Sequence, residues 1–233
     1  MGKKWKTFVT AFIDNEGYKM ILDGLGVTLR IALFGFLIGI FLGLIVATIK
    51  VSGAKNKVLW VLSKVGDVYV GFFRGTPIVV QLLLGHFVLF PVLGINLPSV
   101  LEATVVFGLN SGAYVSEIIR SGILSVDPGQ MEAGRSLGLN YVHTMVRIVF
   151  PQAIKNSLPS LGNELIALIK DTSVATMVAV VDLTNAFQIL AGGTYEFIVP
   201  YIVLALFYLV MVLTLSLIIK IIERRLRASD KRQ

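Results

Sequence analysis

The sequence contains no cysteine and only two histidines. Without cysteine the chain can form neither a disulfide nor a thiolate metal site, and two isolated histidines are too few for a typical zinc site. The sequence also lacks a Walker A motif, a nucleophile elbow and a catalytic dyad in a matching context. These absences predict a chain that is not an enzyme, holds no metal and carries no cofactor of its own.

Charged residues are also scarce, at 15% of the chain against 55% hydrophobic residues, and the mean hydropathy is +0.82. Several apolar runs exceed the ~18 residues that mark a membrane-spanning helix. The net charge of +7 could indicate nucleic acid binding. In a membrane protein, however, basic residues concentrate in cytoplasmic loops, so we predict a membrane lipid environment and no nucleic acid partner.

The predicted fold is all-α, a polytopic membrane protein in which residues 1–233 form a single transmembrane domain. Glycines 35, 39 and 43 recur every fourth residue and predict a close approach of another helix. Gly75 and Pro77 interrupt the second apolar region, which is too long for one straight crossing, so we expect a broken or tilted helix there. The five predicted spans cover residues 20–49, 58–93, 97–119, 158–181 and 197–222.

Lysine and arginine positions predict the orientation of these spans. The loops around Gly94 and Gly193 contain no basic residue, whereas the other two loops and the C-terminal tail are basic. The N-terminus is therefore predicted to lie outside and the C-terminus in the cytoplasm. The basic N-terminal segment, which alone would favour the opposite orientation, is outweighed by the other loops. The deciding residues are Lys50, Lys55, Lys57, Arg120, Arg135, Arg147, Lys155, Lys220, Arg224, Arg225, Arg227, Lys231 and Arg232.

The polar loop of residues 127–151 carries signals for two short helices. Asp127 can cap the first, with Pro128 at its first position and Gln130 as a capping-box partner, and Gly138 provides its stop. Asn140 can cap the second.

The second helix is predicted to end near Pro151. On it, Tyr141, Met145 and Ile148 form one apolar stripe. Such helices either dock into a groove of a partner protein or lie on the bilayer surface, and composition alone leaves both open.

The run Glu132-Ala133-Gly134, followed by Gly138 and by the end at Pro151, resembles the EAA loop of ABC importer permeases. The third residue of that motif is usually Ala, and in this chain it is Gly134. We call residues 127–151 the coupling loop. Four segments, one of them inside this loop, are similar to the histidine/glutamine branch of polar amino acid permeases, and the resemblance covers about residues 20–220. They are Phe73–Gln81, Gly112–Ile123, Gly129–Leu139 and Phe150–Ser173.

This resemblance implies a type I ABC importer permease in the plasma (inner) membrane of a prokaryote. Its partners would be an ABC ATPase subunit that binds ATP and Mg, a second permease subunit (identical or paralogous) and an extracellular or periplasmic amino-acid-binding protein. The residues that it assigns to ATPase coupling are Glu132, Ala133, Gly134, Leu137 and Gly138.

Ionisable residues inside a membrane need a partner or a water-filled cavity. Glu164 and Asp171 share a helical face, and the run that begins at Asp171 also reads as a cap, which predicts a helix break. We therefore predict that Glu164, Asn163 and Asp171 line a substrate path. The structural alternative is that Asp171 pairs with Lys170 or Arg74.

Arg74 stands beside the break at Pro77. Its guanidinium could bind the carboxylate of an amino acid, or it could neutralise Glu117 or Asp171. Asn110 and Tyr114 lie one helical turn apart and could contact substrate or join helices. His86 and His143 are given no role.

These residues predict the permease subunit of an importer for polar L-amino acids, with alternating access driven by a separate ATPase. Glu164 in the path would favour a cationic substrate such as arginine, lysine or histidine, although an Asn–Glu pair could also serve glutamine. The first alternative is an ion-coupled secondary transporter or channel that acts without an ATPase, and the second is a membrane scaffold.

Overall fold

The computed structural model describes residues 2–52 and 57–230, and within them no β-strand occurs. The all-α prediction is confirmed. Lys55, Lys231 and Arg232, which entered the charge count, lie outside the described residues. The helices are α1 (Gly2–Val9), α2 (Gly17–Ser52), α3 (Lys57–Gly75), α4 (Ile78–Val92), α5 (Ser99–Leu124), α6 (Pro128–Ser136), α7 (Tyr141–Val178), α8 (Leu183–Thr194) and α9 (Ile198–Asp230).

Helices α2 and α9 are long and apolar enough to cross a membrane by themselves. None of the residues in the apolar window of α9 is buried, as expected for a helix that faces lipid. The pairs α3 with α4 and α7 with α8 pass the same test only if each pair is one bent span. Helix α5 is not among them, because buried polar residues such as Glu102, Asn110 and Ser111 lower its hydropathy. The count of five spans therefore stays a prediction.

The chain divides into two compact units by its internal contacts. In the first unit, one apolar core surrounds Phe107 and a second surrounds Phe187, and both rings are fully buried. The first unit consists of residues Met1–Leu37, Thr76–Gly108 and Leu165–Leu215, and the second of Ile38–Gly75, Leu109–Glu164 and Ser216–Gln233.

The glycine stripe of α2 brings this helix close to α5, as predicted. In the second unit, a Cβ atom added to Gly39 would lie 2.8 Å from the Cβ of Ser111, and one added to Gly43 would lie 2.7 Å from the Cβ of Val115. Both distances are too short for a real side chain. Glycine at these positions therefore permits backbone packing that alanine would prevent.

Two helical segments were not predicted from the sequence. Helix α1 and the π turn Thr10–Asp14 precede the first predicted span, and α8 occupies the region that the charge pattern assigned to an outer loop around Gly193. The α8 segment is a helix because Asp182 caps its first turn and because Phe187 and Leu190 bury its apolar face.

Candidate functional site: the coupling loop and the intramembrane polar residues

The first helix of the coupling loop has the predicted start and stop. The Asp127 side chain accepts a hydrogen bond from the Gly129 amide at 2.7 Å. At the other end Gly138 has φ +83°, and its amide donates to the Arg135 carbonyl while the Leu139 amide donates to the Gly134 carbonyl. This pair of bonds is the Schellman arrangement, which glycine permits without strain.

The predicted capping box does not form. The Gln130 side chain accepts a hydrogen bond from the Gln152 amide group at 3.2 Å, so it joins the two helices of the coupling loop instead of capping the first. The Asn140 cap is confirmed, since its side-chain oxygen accepts from the His143 amide at 2.9 Å.

The prediction that the second helix ends near Pro151 is wrong. Helix α7 continues through Pro151 because a π turn, Met145–Val149, precedes it and the Phe150 amide reaches back to the Met145 carbonyl. The wider turn gives room for the proline ring, which in a regular α-helix would clash with the carbonyl group four residues earlier. The coupling loop is thus continuous with the segment that carries Glu164.

Gly134 does not belong to the outward surface of the coupling loop. It is buried against α7, where an added Cβ would come 2.5 Å from the Cγ2 of Thr144 and 3.0 Å from the Cδ1 of Ile148. The apolar stripe of Tyr141, Met145 and Ile148 is half-buried rather than free for a partner. Close packing of α6 on α7 explains both observations.

The outward surface consists of other side chains. Glu132, Ala133 and Gly138 are exposed, and Leu137 is 81% exposed. Val142 and Val146, which the predicted stripe omitted, are 64% and 59% exposed. A patch of apolar side chains without protein cover on a polar loop is typical of an interaction surface.

The break between α3 and α4 is where the sequence placed it. Helix α3 ends at Gly75 and α4 begins at Ile78. Because Pro77 has no amide hydrogen, it cannot donate to the Phe73 carbonyl, and the Asn110 side chain donates to that carbonyl at 3.3 Å. Asn110 therefore joins α5 to α3, the structural alternative considered for it.

Arg74 lies next to Asn110 and Tyr114, so the structure brings three of the six predicted path residues together. The Arg74 guanidinium carbon lies 5.3 Å from the centre of the Tyr114 ring, a cation–π contact. Arg74 is exposed and forms no ion pair within the described residues. Glu117, one of the two structural alternatives for Arg74, lies in the same unit and is not paired with it there.

Glu117 belongs instead to a charged network that the sequence analysis missed. Lys50 lies 2.6 Å from a carboxylate oxygen of Glu117 and 3.1 Å from one of Asp67, and Arg120 lies 2.9 Å from Glu117. The Lys50 and Glu117 side chains are only 13% and 18% exposed. The network connects α2, α3 and α5 inside the second unit. Only Glu117 and Arg120 are at helical spacing, and Lys50 and Asp67 are too far from them in sequence for a spacing rule to show the network.

The remaining predicted path residues lie on α7. Asn163 and Asp171 are exposed and Glu164 is half-buried. The regular α-helix ends at Asp171, where a 3-10 turn begins, so a change of helix type occurs at the predicted break. Asp171 does not cap it, because its backbone is helical and its side chain makes no cap hydrogen bond. Within the described residues of the first unit, Asp171 forms no salt bridge with Lys170.

A buried carboxylate that sequence reasoning missed is Asp182. It is fully buried and accepts hydrogen bonds from the amides of Thr184 and Asn185 at 3.2 and 2.9 Å. The Thr28 hydroxyl accepts from the Leu183 amide at 3.1 Å, and Thr184 bonds to the Tyr208 hydroxyl at 2.9 Å. The available signal was an aspartate directly before an apolar run with helical spacing that begins at Leu183.

His86, which was given no role, contacts a buried acid. Its Nδ1 lies 2.5 Å from a carboxylate oxygen of Glu102, whose side chain is 8% exposed. The pair joins α4 to α5 in the first unit. Among the described residues no group of three or more His, Cys, Asp or Glu side chains is arranged to hold a metal ion.

Comparisons with known proteins agree with this arrangement. Residues 24–228 match the family described as the binding-protein-dependent transport system inner membrane component. The chain is 39% identical over 210 residues to the arginine transport system permease protein ArtQ of Bacillus subtilis (strain 168), covering 90% of this chain and 94% of that protein. It is 40% identical over 209 residues to the putative glutamine transport system permease protein GlnP of Rickettsia bellii (strain RML369-C), covering 90% and 94%.

One solved structure is also similar along most of its length. It is described as the crystal structure of an amino acid ABC transporter with histidines, with a TM-score of 0.81 and 39% sequence identity, covering 89% of this chain and 94% of that one. The likeness therefore includes the fold as well as the sequence.

Proposed function

This chain belongs to the family of binding-protein-dependent transport system inner membrane components, and from that premise we infer that it is the permease subunit of an ABC importer for amino acids. The observation that carries this conclusion is identity of about 40% along nine-tenths of the chain to permeases named for amino acid transport. The chain is not itself an enzyme. ATP hydrolysis belongs to a separate subunit, which binds ATP and Mg.

We propose that the ATPase subunit binds the outward surface of the coupling loop. Leu137 is its most exposed large apolar residue, with Glu132 and Ala133 on the same short helix and Gly138 at its stop. A well-exposed leucine beside charged residues suits a cleft that covers the leucine and leaves the charges at the rim. Gly134 supports this surface from below by permitting α6 to pack on α7.

The proposed substrate is a polar L-amino acid, with a cationic side chain favoured. Arg74 supports this proposal, because an exposed guanidinium without a carboxylate partner in the described chain suits the α-carboxylate of a substrate. Glu164 on α7 would meet a cationic side chain, and Asn163 and Asp171 are proposed for the same path. Asn110 and Tyr114 would position Arg74 rather than bind substrate themselves.

The proposed assembly has two permease subunits, identical or paralogous, together with the ATPase and an extracellular or periplasmic amino-acid-binding protein. Five spans are too few to enclose a solute path, which supports a dimer. We propose that the N-terminus lies outside and the C-terminus in the cytoplasm of a prokaryotic inner membrane. Alternating access would then be driven by ATPase closure on the coupling loop.

The test is uptake by the purified importer in proteoliposomes loaded with ATP. Labelled arginine, lysine, histidine and glutamine are compared, first for the wild type and then for Glu164→Gln and Arg74→Gln. Glu164→Gln should raise the KM for cationic substrates at least tenfold and change the KM for glutamine little. Arg74→Gln should raise the KM for all four, because every substrate has the α-carboxylate.

A second arm tests the docking surface. Leu137→Arg should reduce the amount of ATPase that copurifies with the permease, whereas Leu93→Arg, at a leucine that is 59% exposed near the loop around Gly94, should not. Equal copurification by the two variants would contradict the docking surface. The ion-coupled alternative is not favoured by the comparisons, and uptake that follows an ion gradient without ATP would restore it.

A further inference from the structure

The N-terminal segment is fixed to the protein by an aromatic face. Phe8 and Ala11 are each 5% exposed and belong to the core that surrounds Phe187. The Phe8 and Phe12 rings stack at 5.4 Å between centres. Helix α1 and the π turn after it are therefore held in place, and the polar side of the segment has a defined shape.

That polar side forms an open cleft of about 420 Å³ with two lysines at its edge. Neither Lys3 nor Lys6 forms an ion pair in the part of the chain that the structure describes, whereas Lys4 turns away to Glu196, 3.6 Å distant. The cleft is lined by Lys3, Lys6, Thr7, Thr10, Ala11, Asn15 and Thr194.

The hydroxyls of Thr7 and Thr194 in the lining donate to backbone carbonyls of their own helices, whereas four other polar side chains have no acceptor in the described part of the chain: those of Lys3, Lys6, Thr10 and Asn15. The side chains of Thr10 and Asn15 make no hydrogen bond within residues 2–52 and 57–230, and both are exposed. Two ammonium groups beside hydroxyl and amide donors are the chemistry that binds a phosphate oxygen. No carboxylate lines the cleft to neutralise the lysines.

Trp5 indicates that the phosphate belongs to a membrane lipid rather than to a solute. It lies on the same short helix between the two free lysines and is 55% exposed, although its neighbour Phe8 is buried. Indole rings concentrate at the membrane–water interface, and a short helix with lysines and an exposed tryptophan is typical of segments that lie in that plane.

We propose that this cleft binds the phosphate group of an anionic phospholipid in the leaflet on the N-terminal side. The proposal goes beyond amino acid import, in which none of these residues is proposed to act. The charge rule does not expect lysines on the outer side of the membrane, where this segment is predicted to lie. Binding of an anionic lipid would explain why they are there.

The experiment measures lipid retained by the purified importer by native mass spectrometry, without ATP or amino acid. The wild type, Lys3→Gln/Lys6→Gln and the control Lys19→Gln are titrated with phosphatidylglycerol and with phosphatidylcholine. Lys19 is a suitable control because it is 57% exposed and already paired with Glu16 at 2.6 Å. The double variant should bind phosphatidylglycerol roughly thirtyfold more weakly, at about fivefold per lysine, and the control should match the wild type.

Three results would overturn the proposal. The first is equal phosphatidylglycerol binding by wild type and double variant. The second is displacement of the lipid by millimolar inorganic phosphate, which would identify the cleft as a site for free phosphate. The third is unchanged lipid binding together with weaker attachment of the amino-acid-binding protein in phosphatidylcholine nanodiscs, which would make the lysines a protein-docking surface. Because no transport is measured, failure here leaves the import function unaffected.

Discussion

The substitution Gly134→Ala has two opposite effects on the stability of α6, a gain in helix propensity and a steric clash with α7. Alanine is favoured over glycine inside a helix by about 1 kcal/mol. The new Cβ, however, would lie 2.5 Å from the Thr144 Cγ2. Thr144 is fully buried and its hydroxyl donates to the Asn140 carbonyl at 3.0 Å, so the methyl cannot rotate away without loss of that bond. Overpacking of this kind costs about 1–3 kcal/mol, so we expect a net loss of about 1 kcal/mol in α6.

The rescue is Thr144→Ser, which removes the clashing methyl and keeps the hydroxyl. Loss of one buried methyl costs about 0.8 kcal/mol, which is close to the helix-propensity gain from alanine. The double variant Gly134→Ala/Thr144→Ser should therefore be about as stable as the wild type. Thr144→Ser alone serves as the matched control, with a small loss of stability and no clash.

Hydrogen exchange of the assembled importer measures this local stability, because amides of a short helix exchange through local opening. For Gly134→Ala, the amides of residues 130–139 should exchange about fivefold faster than in the wild type, as about 1 kcal/mol predicts. In the double variant they should exchange within about twofold of the wild type. ATPase activity stimulated by amino acid should fall and recover in parallel, since α6 is the proposed docking helix.

Two outcomes would refute the reasoning about this contact. Slower exchange in Gly134→Ala than in the wild type would mean that helix propensity outweighs packing and that α6 does not press on α7. Exchange in the double variant as fast as in the single variant would mean that the Thr144 methyl is not the obstacle.

Three further substitutions test other contacts through the apparent melting temperature of the detergent-solubilised protein. Lys50→Met should destabilise the second unit by about 1–3 kcal/mol because two carboxylates lose their shared cation, whereas the exposed Lys64→Met should have little effect. Asn110→Leu should cost about 1 kcal/mol through loss of its hydrogen bond to the Phe73 carbonyl, and an unchanged melting temperature would mean that this bond contributes nothing to stability. Asp182→Ala should cost about 1–2 kcal/mol through the lost helix cap, and Asp182→Asn should recover most of it.

The features predicted from the sequence are those fixed by a few neighbouring residues. Asp127, Gly138 and Asn140 have the predicted roles because caps and left-handed stops depend on the backbone within three or four positions. Pro151 misled for the same reason. Its local preference ends a helix, but a π turn one turn earlier removes the conflict, and nothing in the sequence marks that turn.

The ion pairs between helices that were missed depend on residues far apart in the chain. Lys50 and Glu117 are 67 positions apart, and His86 and Glu102 are 16 apart. Pairing between helices follows from packing and not from spacing, so a charge pattern could place these residues near a membrane boundary without showing their partners. The role of Asn110 could be predicted only in part. Pro77 cannot donate to the Phe73 carbonyl, but the sequence does not show that Asn110 is a side chain that does.

The continuity of α7 places a constraint on chain length. Between Tyr141 and Glu164 the helix runs about 35 Å at ~1.5 Å per residue, and it continues through the π turn at Met145–Val149 and through Pro151 and Pro159. One residue inserted along this stretch would rotate everything beyond it by about 100° and turn Glu164 to a different side of the helix. The same insertion in the turn at Gly138 would leave the azimuth of Glu164 unchanged. The π turn, which itself accommodates one additional residue, thus sets the angle at which the far half of the helix presents its side chains.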